Sequence, residues 1–288
     1  MSSKHRKPLR ENVAVITGAS SGIGAAIALR LGREGMTLVL TARREERLRE
    51  VAAEAGKNGA RTLVIPADLS QPTERVRMLA EAEAHFGQVD ILINNAGFGW
   101  YGYYSRMPWQ IAVEMMRVNM EAAAHLSHLA LPSMLARQQG HILMIGSIAG
   151  DVPSQGIALY SASKGFLDTL STALQRECAG SGVWVSNIKP GPVHSEFFPN
   201  VRNAEGSRHI PVEQFAVPAN RVAEKAWRTL QRPRRRAYVP GIFALAPWVE
   251  LSLGWLMDRI GPLLLRRTDQ PNSDTGSGSR DDATGDGG

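Results

Sequence analysis

Short apolar runs alternate with stretches of helical periodicity along most of this 288-residue chain, and the alternation restricts the fold more than any other feature. Runs rich in β-branched and aliphatic residues predict strands at Asn12–Thr17, Thr37–Ala42, Thr62–Pro66, Ile91–Asn94, His141–Ser147, Val183–Lys189 and Ala237–Val239. Apolar residues at helical spacing predict helices at Ile23–Glu34, Arg44–Asn58, Thr73–Phe86, Trp109–Arg137 with an interruption near Pro132, Ser161–Cys178 and Pro218–Gln231. The sequence therefore predicts an α/β fold, a doubly wound parallel sheet of about seven strands with helices on both faces.

Composition divides the chain into four segments. Residues 1–11 form a basic tail, and residues 12–240 contain the alternating elements of one large domain. Residues 241–267 are an apolar, amphipathic C-terminal extension. Residues 268–288 consist largely of glycine, serine and aspartate, so we expect them to be disordered.

Charge and cysteine content limit the classes of function. The formal net charge is +6, and a basic protein suits phosphorylated ligands, anionic membranes or nucleic acid, which charge alone does not separate. The single cysteine, Cys178, excludes an internal disulfide and offers no metal cluster, so we expect a buried thiol in a reducing compartment. No apolar run approaches the length of a spanning helix or a signal-peptide core, and we therefore expect a cytoplasmic protein.

A glycine-rich loop follows the first predicted strand and opens the first predicted helix. Glycines allow backbone to approach a pyrophosphate closely, and the start of a helix directs free N–H groups at phosphate oxygens. The arrangement is typical of a Rossmann-type dinucleotide site, although tight turns also need glycine. The candidate residues of the loop are Gly18, Ser20, Ser21, Gly22, Ile23 and Gly24.

Five motifs in this order resemble those of the short-chain dehydrogenase/reductase family, over residues 12–239. They are the loop Thr17-Gly-x-x-x-Gly-x-Gly24, Asn94-Asn95-Ala96-Gly97 after the fourth strand with Asn119 in the next helix, Ser147 at the end of the fifth strand, Tyr160-Ser-Ala-Ser-Lys164, and Pro190-Gly191-Pro192-Val193 after the sixth strand. The resemblance departs at Gly146, where many relatives have a second serine, and at His194-Ser195, where relatives often place threonine.

The resemblance implies a nicotinamide cofactor and four catalytic residues, Ser147, Tyr160, Lys164 and Asn119. Lys164 would also hold the nicotinamide ribose, and Asn119 would anchor a water molecule that links Lys164 to solvent. Besides the glycine loop, Tyr160 and Lys164, the cofactor-binding residues expected are Arg43, Asp68, Leu69, Asn95, Ala96, Gly97, Pro190, Gly191 and Val193.

The chemistry of the Tyr160–Lys164 pair follows from its spacing. Residues four apart share one face of a helix. A tyrosine with a pKa of about 10 is a poor base at neutral pH, and a nearby ammonium together with an oxidised nicotinamide should lower that pKa. In carbonyl reduction the phenol would donate its proton, while Ser147 would orient the carbonyl oxygen. The alternative is an ordinary helical pair with a solvated lysine.

The end of the second predicted strand bears on cofactor choice. A carboxylate there selects NAD, whereas an arginine accommodates the 2′-phosphate of NADP. Arg43 and Arg44 follow the strand, so the sequence predicts NADP(H) with Arg43 at the phosphate. The alternative is that both arginines begin a polar helix surface, paired with Glu45 and Glu46.

The predicted activity is hydride transfer between NADP(H) and a carbonyl or secondary alcohol. Aromatic residues in Phe98–Tyr104 and at Phe197 and Phe198 favour a bulky apolar small-molecule substrate, such as a long-chain oxoacyl compound or a steroid. Core or subunit packing would also explain these aromatics. A non-catalytic dinucleotide-binding sensor or scaffold is the alternative function, and the sequence does not set the direction of the reaction.

Apolar stretches of the sequence are the basis for predicting partners other than the substrate. The stretch 247–265 is rich in leucine and tryptophan and has arginines on both sides, which suits a peripheral contact with an anionic membrane. A lid over the substrate opening or a contact with a sister subunit explains it equally well. The resemblance implies a homo-oligomer through Trp109–Arg137 and Ser161–Cys178. We expect no nucleic acid as a partner, because Arg232–Arg236 lacks interleaved aromatics.

Overall fold

A computed structural model describes residues 8–194, 202–203 and 216–265 of the chain. Most of the basic N-terminal tail, Ser195, the Phe197–Phe198 pair, the arginines at 266 and 267, and the tail 268–288 lie outside these residues. The predictions made for them therefore stay predictions.

Helices and strands alternate in the order that the sequence predicts. The strands are β1 (Val13–Thr17), β2 (Thr37–Ala42), β3 (Arg61–Pro66), β4 (Ile91–Asn94), β5 (Trp100–Tyr101), β6 (Gly140–Ile145), β7 (Val183–Pro190), β8 (Val193–His194), β9 (Arg202–Asn203), β10 (Val217–Pro218) and β11 (Arg236–Val239). The helices are α1 (Gly22–Gly32), α2 (Glu45–Gly56), α3 (Pro72–Phe86), α4 (Trp109–Met116), α5 (Ala122–Ala136), α6 (Ala158–Glu177), α7 (Ala219–Gln231) and α8 (Ala246–Leu265).

Seven strands form one parallel sheet in the order β11-β7-β6-β4-β1-β2-β3. The chain runs outward from β1 to β3 and then returns to the other side of β1 through β4, so the strand order reverses between β1 and β4. This confirms the predicted doubly wound, Rossmann-type sheet. A crevice at such a reversal, outside the carboxyl ends of the strands, is where α/β sheets of this kind bind ligands.

The sheet is buried on both faces, which explains why its central strands are nearly continuous apolar runs. One apolar core lies between the sheet and helices α1, α2 and α7, and includes Ile27, Leu48 and Val222. The second core lies between the opposite face and helices α3, α5 and α6, and includes Leu126 and Leu167. The two cores fix the loops at the carboxyl edge, where the predicted site residues are located.

The prediction that the helical region Trp109–Arg137 is interrupted near Pro132 is wrong, and this region is irregular at another point. Pro132 lies inside the continuous helix α5. The irregularity is a π-helical turn at Arg117–Glu121, between α4 and α5, and it contains the buried side chain of Asn119. A π turn inserts one extra residue into a helix, and such turns occur frequently at functional sites.

Helix α8 forms the C-terminal extension and packs mainly on the short 3-10 turn that precedes it. Its large apolar side chains are exposed, with Leu251 at 80%, Trp248 at 68% and Trp255 at 63% of their full accessible area. None of the helices in the described part of the chain is both long enough and apolar enough to cross a membrane.

Candidate active site

The glycine loop between β1 and α1 approaches the loop after β4 very closely. Gly18 has a φ of +65°, which favours glycine. A side-chain carbon on Gly24 would lie 2.3 Å from the Gly18 carbonyl oxygen and 2.6 Å from the Asn95 amide nitrogen. Only glycine therefore fits at position 24, and the backbone of this loop stays open to a ligand.

Two residues connect the glycine loop to the segment Asn95–Gly97. The Asn95 side-chain amide donates to the Thr17 carbonyl at 2.8 Å. The Thr17 hydroxyl accepts from the backbone N–H groups of Asn95 and Ala96 at 2.9 and 3.0 Å. The structure thus brings the predicted cofactor residues of both loops together at the reversal of strand order.

The two arginines after β2 have different contacts. The Arg44 guanidinium donates to the hydroxyl oxygens of Ser21 at 2.6 Å and Ser20 at 3.3 Å. Arg43 forms an ion pair with Glu114 at 3.3 Å, and 62% of its side chain is exposed. Arg44 therefore contacts the glycine loop directly, whereas the sequence predicted Arg43 at the phosphate and gave Arg44 no role in the site.

Asp68 and Leu69 lie in the turn after β3, where a buried arginine holds the backbone. The Asp68 carboxylate accepts from the Ser70 N–H at 3.0 Å. The fully buried Arg75 donates to the Leu69 carbonyl at 2.6 Å and pairs with Glu121 at 2.7 Å. The sequence did not predict this role of Arg75, because an arginine in a polar helix gives no sign that it is buried.

Ser147, Tyr160 and Lys164 meet at the carboxyl edge of the sheet. Ser147 follows β6 and begins a 3-10 turn, in which its hydroxyl accepts from the Ala149 N–H at 3.1 Å. Tyr160 lies in the first turn of α6 and hydrogen-bonds to the Ser147 side chain. Lys164 lies one turn later, with its Nζ 5.7 Å from the centre of the Tyr160 ring. It also donates to the Ile145 carbonyl at 2.9 Å.

Burial shifts both titratable groups of this cluster toward their neutral forms. It raises the pKa of Tyr160 to about 12, although the hydrogen bond to Ser147 lowers it in part. It lowers the pKa of Lys164 to about 8. The lowered tyrosine pKa expected from the sequence is thus not a property of the protein alone, because desolvation of Tyr160 outweighs its hydrogen bond with Ser147. The Tyr160 phenol is therefore protonated at neutral pH.

Asn119 joins the π turn to the loop after β4. Its side-chain oxygen accepts from the Phe98 N–H at 3.0 Å, and its amide donates to the Phe98 carbonyl at 2.9 Å. The amide also lies 3.2 Å from the Ser163 hydroxyl, beside the Tyr160–Lys164 turn. These bonds hold Asn119 at the back of the cluster, where a side-chain carbon on Gly97 would lie 3.0 Å from its oxygen.

The Pro190–Val193 segment closes the site on the β7 side. The Gly191 N–H donates to the Val239 carbonyl at 2.9 Å, and Val193 pairs with Val217 in a short two-stranded sheet. A side-chain carbon on Gly191 would lie 2.2 Å from the Phe243 ring, so this turn packs against the start of the C-terminal extension.

A shallow apolar depression opens beside Tyr160. Its walls include Trp100 and Tyr104 from the predicted aromatic segment, together with Met107, Met115 and Leu159. Within the described residues, no group of histidine, cysteine, aspartate or glutamate side chains is arranged to hold a metal ion. The arrangement places Tyr160, whose hydroxyl can exchange a proton, in the wall of this depression.

Comparison with known proteins defines the class. Residues 12–206 match the family model described as short chain dehydrogenase, and the chain belongs to this family of oxidoreductases. An uncharacterized oxidoreductase of Staphylococcus aureus (strain USA300) is 32% identical over 229 residues, which are 78% of this chain and 94% of that protein.

Solved structures show the same fold. A short-chain dehydrogenase from Sphingobium yanoikuyae, in complex with NADPH, is 25% identical with a TM-score of 0.72, over 92% of this chain and 99% of that one. A metagenomic short-chain oxidoreductase in complex with NADP is 33% identical with a TM-score of 0.67, over 79% and 94%. The closed form of a serine dehydrogenase complexed with NADP+ is 30% identical with a TM-score of 0.71, over 78% and 93%.

Proposed function

We propose that this protein is an NADP(H)-dependent oxidoreductase that interconverts a carbonyl group and a secondary alcohol, with Tyr160 as general acid and base. The observation that carries the proposal is the cluster of Ser147, Tyr160 and Lys164, which lies at the carboxyl edge of the sheet with the glycine loop. Hydrogen bonds between the glycine loop and the loop after β4 support the same assignment. The position of Asn119 supports it as well.

The cofactor would be held by the glycine loop and its neighbours. The close approach at Gly24 and Gly18 leaves backbone exposed where a side chain would block a pyrophosphate, and the start of α1 suits phosphate binding. Asp68 and Leu69 would lie beside the adenine, and the Asn95–Gly97 and Pro190–Val193 segments beside the nicotinamide half. When bound, the reduced cofactor supplies the hydride.

The side chains of the cluster would complete the reduction. Ser147 donates a hydrogen bond to the carbonyl oxygen and orients it. Tyr160 gives its proton to that oxygen as the carbon accepts the hydride, so the carbonyl becomes a hydroxyl. Lys164, protonated below its pKa of about 8, stabilises the phenolate that is left. Oxidation of an alcohol uses the same groups in reverse.

A turnover assay tests the proposal. Purified protein with NADPH should consume the cofactor in the presence of at least one member of a panel of small aldehydes, long-chain β-oxoacyl esters and steroid ketones. Tight NADPH binding with no turnover across the panel and its alcohols would favour the alternative, a dinucleotide-binding sensor. Presence of the complete Ser147–Tyr160–Lys164 cluster favours the enzyme over that alternative.

Cofactor preference is expected to depend on both arginines after β2. Arg44→Ala and Arg43→Ala should each raise the Kd for NADPH about tenfold to a hundredfold and leave the Kd for NADH unchanged, because each removes a charged hydrogen bond to the 2′-phosphate. Equilibrium titration with both cofactors measures this. Arg47→Ala is the matched control, since Arg47 pairs with Glu50 one turn further along α2. Equal losses for the two cofactors would contradict the assignment.

We propose a bulky, apolar substrate. The depression beside Tyr160 is lined by tryptophan, tyrosine, methionine and leucine, and such a surface favours hydrocarbon over charged groups. Long-chain oxoacyl compounds and steroid-like ketones fit this description. We also propose a cytoplasmic location and assembly into a homo-oligomer through α4, α5 and α6, the helices that the resemblance implicates.

We further propose that α8 makes a peripheral contact with an anionic membrane. Trp248, Leu251 and Trp255 lie along one face of the helix and are exposed, whereas Glu250 lies away from it. Asp258, two turns after Leu251, lies at the end of the same face. Tryptophan and leucine on such a helix enter the headgroup region, and a basic protein is attracted to anionic lipid.

Vesicle flotation tests this contact. The full chain should float with vesicles that contain phosphatidylserine, and replacing Trp248, Leu251 and Trp255 together by serine should abolish flotation, because the apolar area that enters the bilayer is lost. Trp109→Ser is the matched control, since Trp109 is 62% exposed but lies at the start of α4. Equal flotation of all three proteins, or none of the wild type, would reject the contact. A change in oligomeric state of the triple variant would point to a sister subunit instead.

A further inference from the structure

A group of buried charges lies behind the active site and has no part in the proposed chemistry. The Lys189 side chain, at the end of β7, is fully buried. Its Nζ lies 2.5 Å from an Asp151 oxygen and 3.4 Å from an Asp168 oxygen. Asp168 also accepts two hydrogen bonds from Arg236 on β11, at 2.9 and 2.8 Å. We call Lys189, Asp151 and Asp168 the lysine bridge.

The lysine bridge connects the two elements that carry the proposed catalytic hydroxyls. Asp151 closes the 3-10 turn that Ser147 begins, and its side chain is only 9% exposed. Asp168 lies on α6, one turn after Lys164 and two turns after Tyr160. Lys189 itself belongs to β7, which pairs with β6 and β11 in the sheet. One ammonium group therefore contacts both the Ser147 turn and the Tyr160 helix.

We propose that Lys189, acting through Asp151, is a positioning residue that holds the Ser147 turn at a fixed distance from Tyr160. The inference rests on the proposed function, since the distance matters only if both hydroxyls contact one substrate oxygen. The buried ion pair between Lys189 and Asp151 connects the turn to the sheet.

The energetics of burial favour a positioning role over a purely stabilising one. Removing an ammonium and two carboxylates from water is unfavourable, and well-packed apolar residues in the place of such a group are often equally stabilising or better. A directional bridge of three charges, by contrast, fixes the relative position of the strand, the turn and the helix. Arg236 provides a useful comparison, because it contacts Asp168 on the helix at the protein surface and makes no hydrogen bond to the Ser147 turn among the described residues.

Four variants of the full chain distinguish a positioning role of Lys189 from a purely stabilising one. Asp151→Ala removes the ion pair between Lys189 and the Ser147 turn, and leaves Lys189 paired with Asp168. Asp151→Asn keeps an oxygen that accepts from Lys189, and serves as the conservative rescue. Lys189→Met combined with Asp151→Ala removes the tie without leaving a buried carboxylate unpaired. Arg236→Gln is the control, since it weakens a contact of α6 and does not touch the turn.

Two measurements are made on each variant. The first is steady-state kinetics with NADPH and the best carbonyl substrate, because misplacing a catalytic group by about 1 Å can lower the rate a hundredfold. The second is hydrogen exchange of the backbone amides in residues 148–157, which needs no turnover. This second measurement keeps the inference testable if the proposed activity itself fails.

The account predicts that Asp151→Ala lowers kcat about tenfold to a hundredfold, changes the KM for NADPH less than twofold, and speeds exchange in residues 148–157. The Lys189–Asp151 double variant should match the single variant, Asp151→Asn should recover most of the rate, and Arg236→Gln should behave as wild type. Wild-type kcat and exchange in Asp151→Ala would overturn the inference, as would an equal loss in Arg236→Gln. Absence of turnover in the wild type would contradict the proposed function, and the exchange result would still decide whether the bridge holds the turn.

Discussion

Replacing Tyr160 by phenylalanine should lower kcat for carbonyl reduction by about a hundredfold to ten-thousandfold, the range typical for loss of a general acid. The phenol is the proton donor of the proposed reaction, and burial keeps it protonated, with a pKa raised to about 12. The ring itself is retained, so the Kd for NADPH should change less than twofold. Steady-state kinetics and equilibrium titration of the same preparation measure both quantities.

Tyr104→Phe is the matched control for this experiment. Tyr104 lies in the wall of the same depression, but 54% of its side chain is exposed and it has no contact with Ser147 among the described hydrogen bonds. The control should retain kcat within a few fold. A Tyr160→Phe protein with wild-type turnover would exclude Tyr160 as the proton donor.

Gly24→Ala is expected to abolish measurable cofactor binding. The added carbon would lie 2.3 Å from the Gly18 carbonyl oxygen and 2.6 Å from the Asn95 amide, so the loop must move away from the segment after β4. Overpacking of this kind destabilises a fold by about 1–3 kcal/mol. Because the displaced backbone is the proposed phosphate site, the Kd for NADPH should rise by more than about a hundredfold. Titration with NADPH and thermal unfolding measure the two effects.

Gly56→Ala provides the control for an added methyl group in a helix. Gly56 is exposed at the end of α2, and no atom lies within 4 Å of the added carbon. Alanine has the higher helix propensity, so this variant should be as stable as wild type or slightly more stable, with unchanged NADPH binding. Wild-type NADPH affinity in Gly24→Ala would show that the glycine loop does not bind the phosphates.

The fold could be predicted from the sequence because its signals are local and repeated. The central strands of a sheet buried on both faces are continuous apolar runs, as in Ile91–Asn94, and they stand out between amphipathic helices. The glycine loop and the Tyr160–Lys164 spacing are also local. Parallel strands then bring the ends of β1, β4 and β6 to one edge, so the grouping of these motifs follows from topology alone.

Features that depend on tertiary contacts could not be predicted. Pro132 indicates a helix break by its chemistry, but the packed helix α5 accommodates it, and the irregular turn occurs at Arg117–Glu121 instead. Nothing in the sequence shows that Arg75 or Lys189 is buried, since both types of residue are usually exposed.

The pKa of Tyr160 likewise depends on burial, which the sequence does not show. Sequence reasoning counts the charges of Lys164 and of an oxidised nicotinamide, and predicts a lowered pKa. The structure adds the degree of burial, which raises the pKa to about 12 and lowers that of Lys164 to about 8. Desolvation and a neighbouring positive charge shift a tyrosine pKa in opposite directions, and they cannot be ranked without the surroundings of the group.

The central claim is that Tyr160 protonates a carbonyl oxygen while the carbonyl carbon receives hydride from NADPH. The most direct test is to incubate the protein with NADPH deuterated at the transferable position and with the best substrate of the panel. We expect deuterium on the carbinol carbon of the product with wild-type protein, and labelling at least about a hundredfold slower with Tyr160→Phe. Consumption of NADPH without deuterium in the product, or equal labelling by the variant, would contradict it.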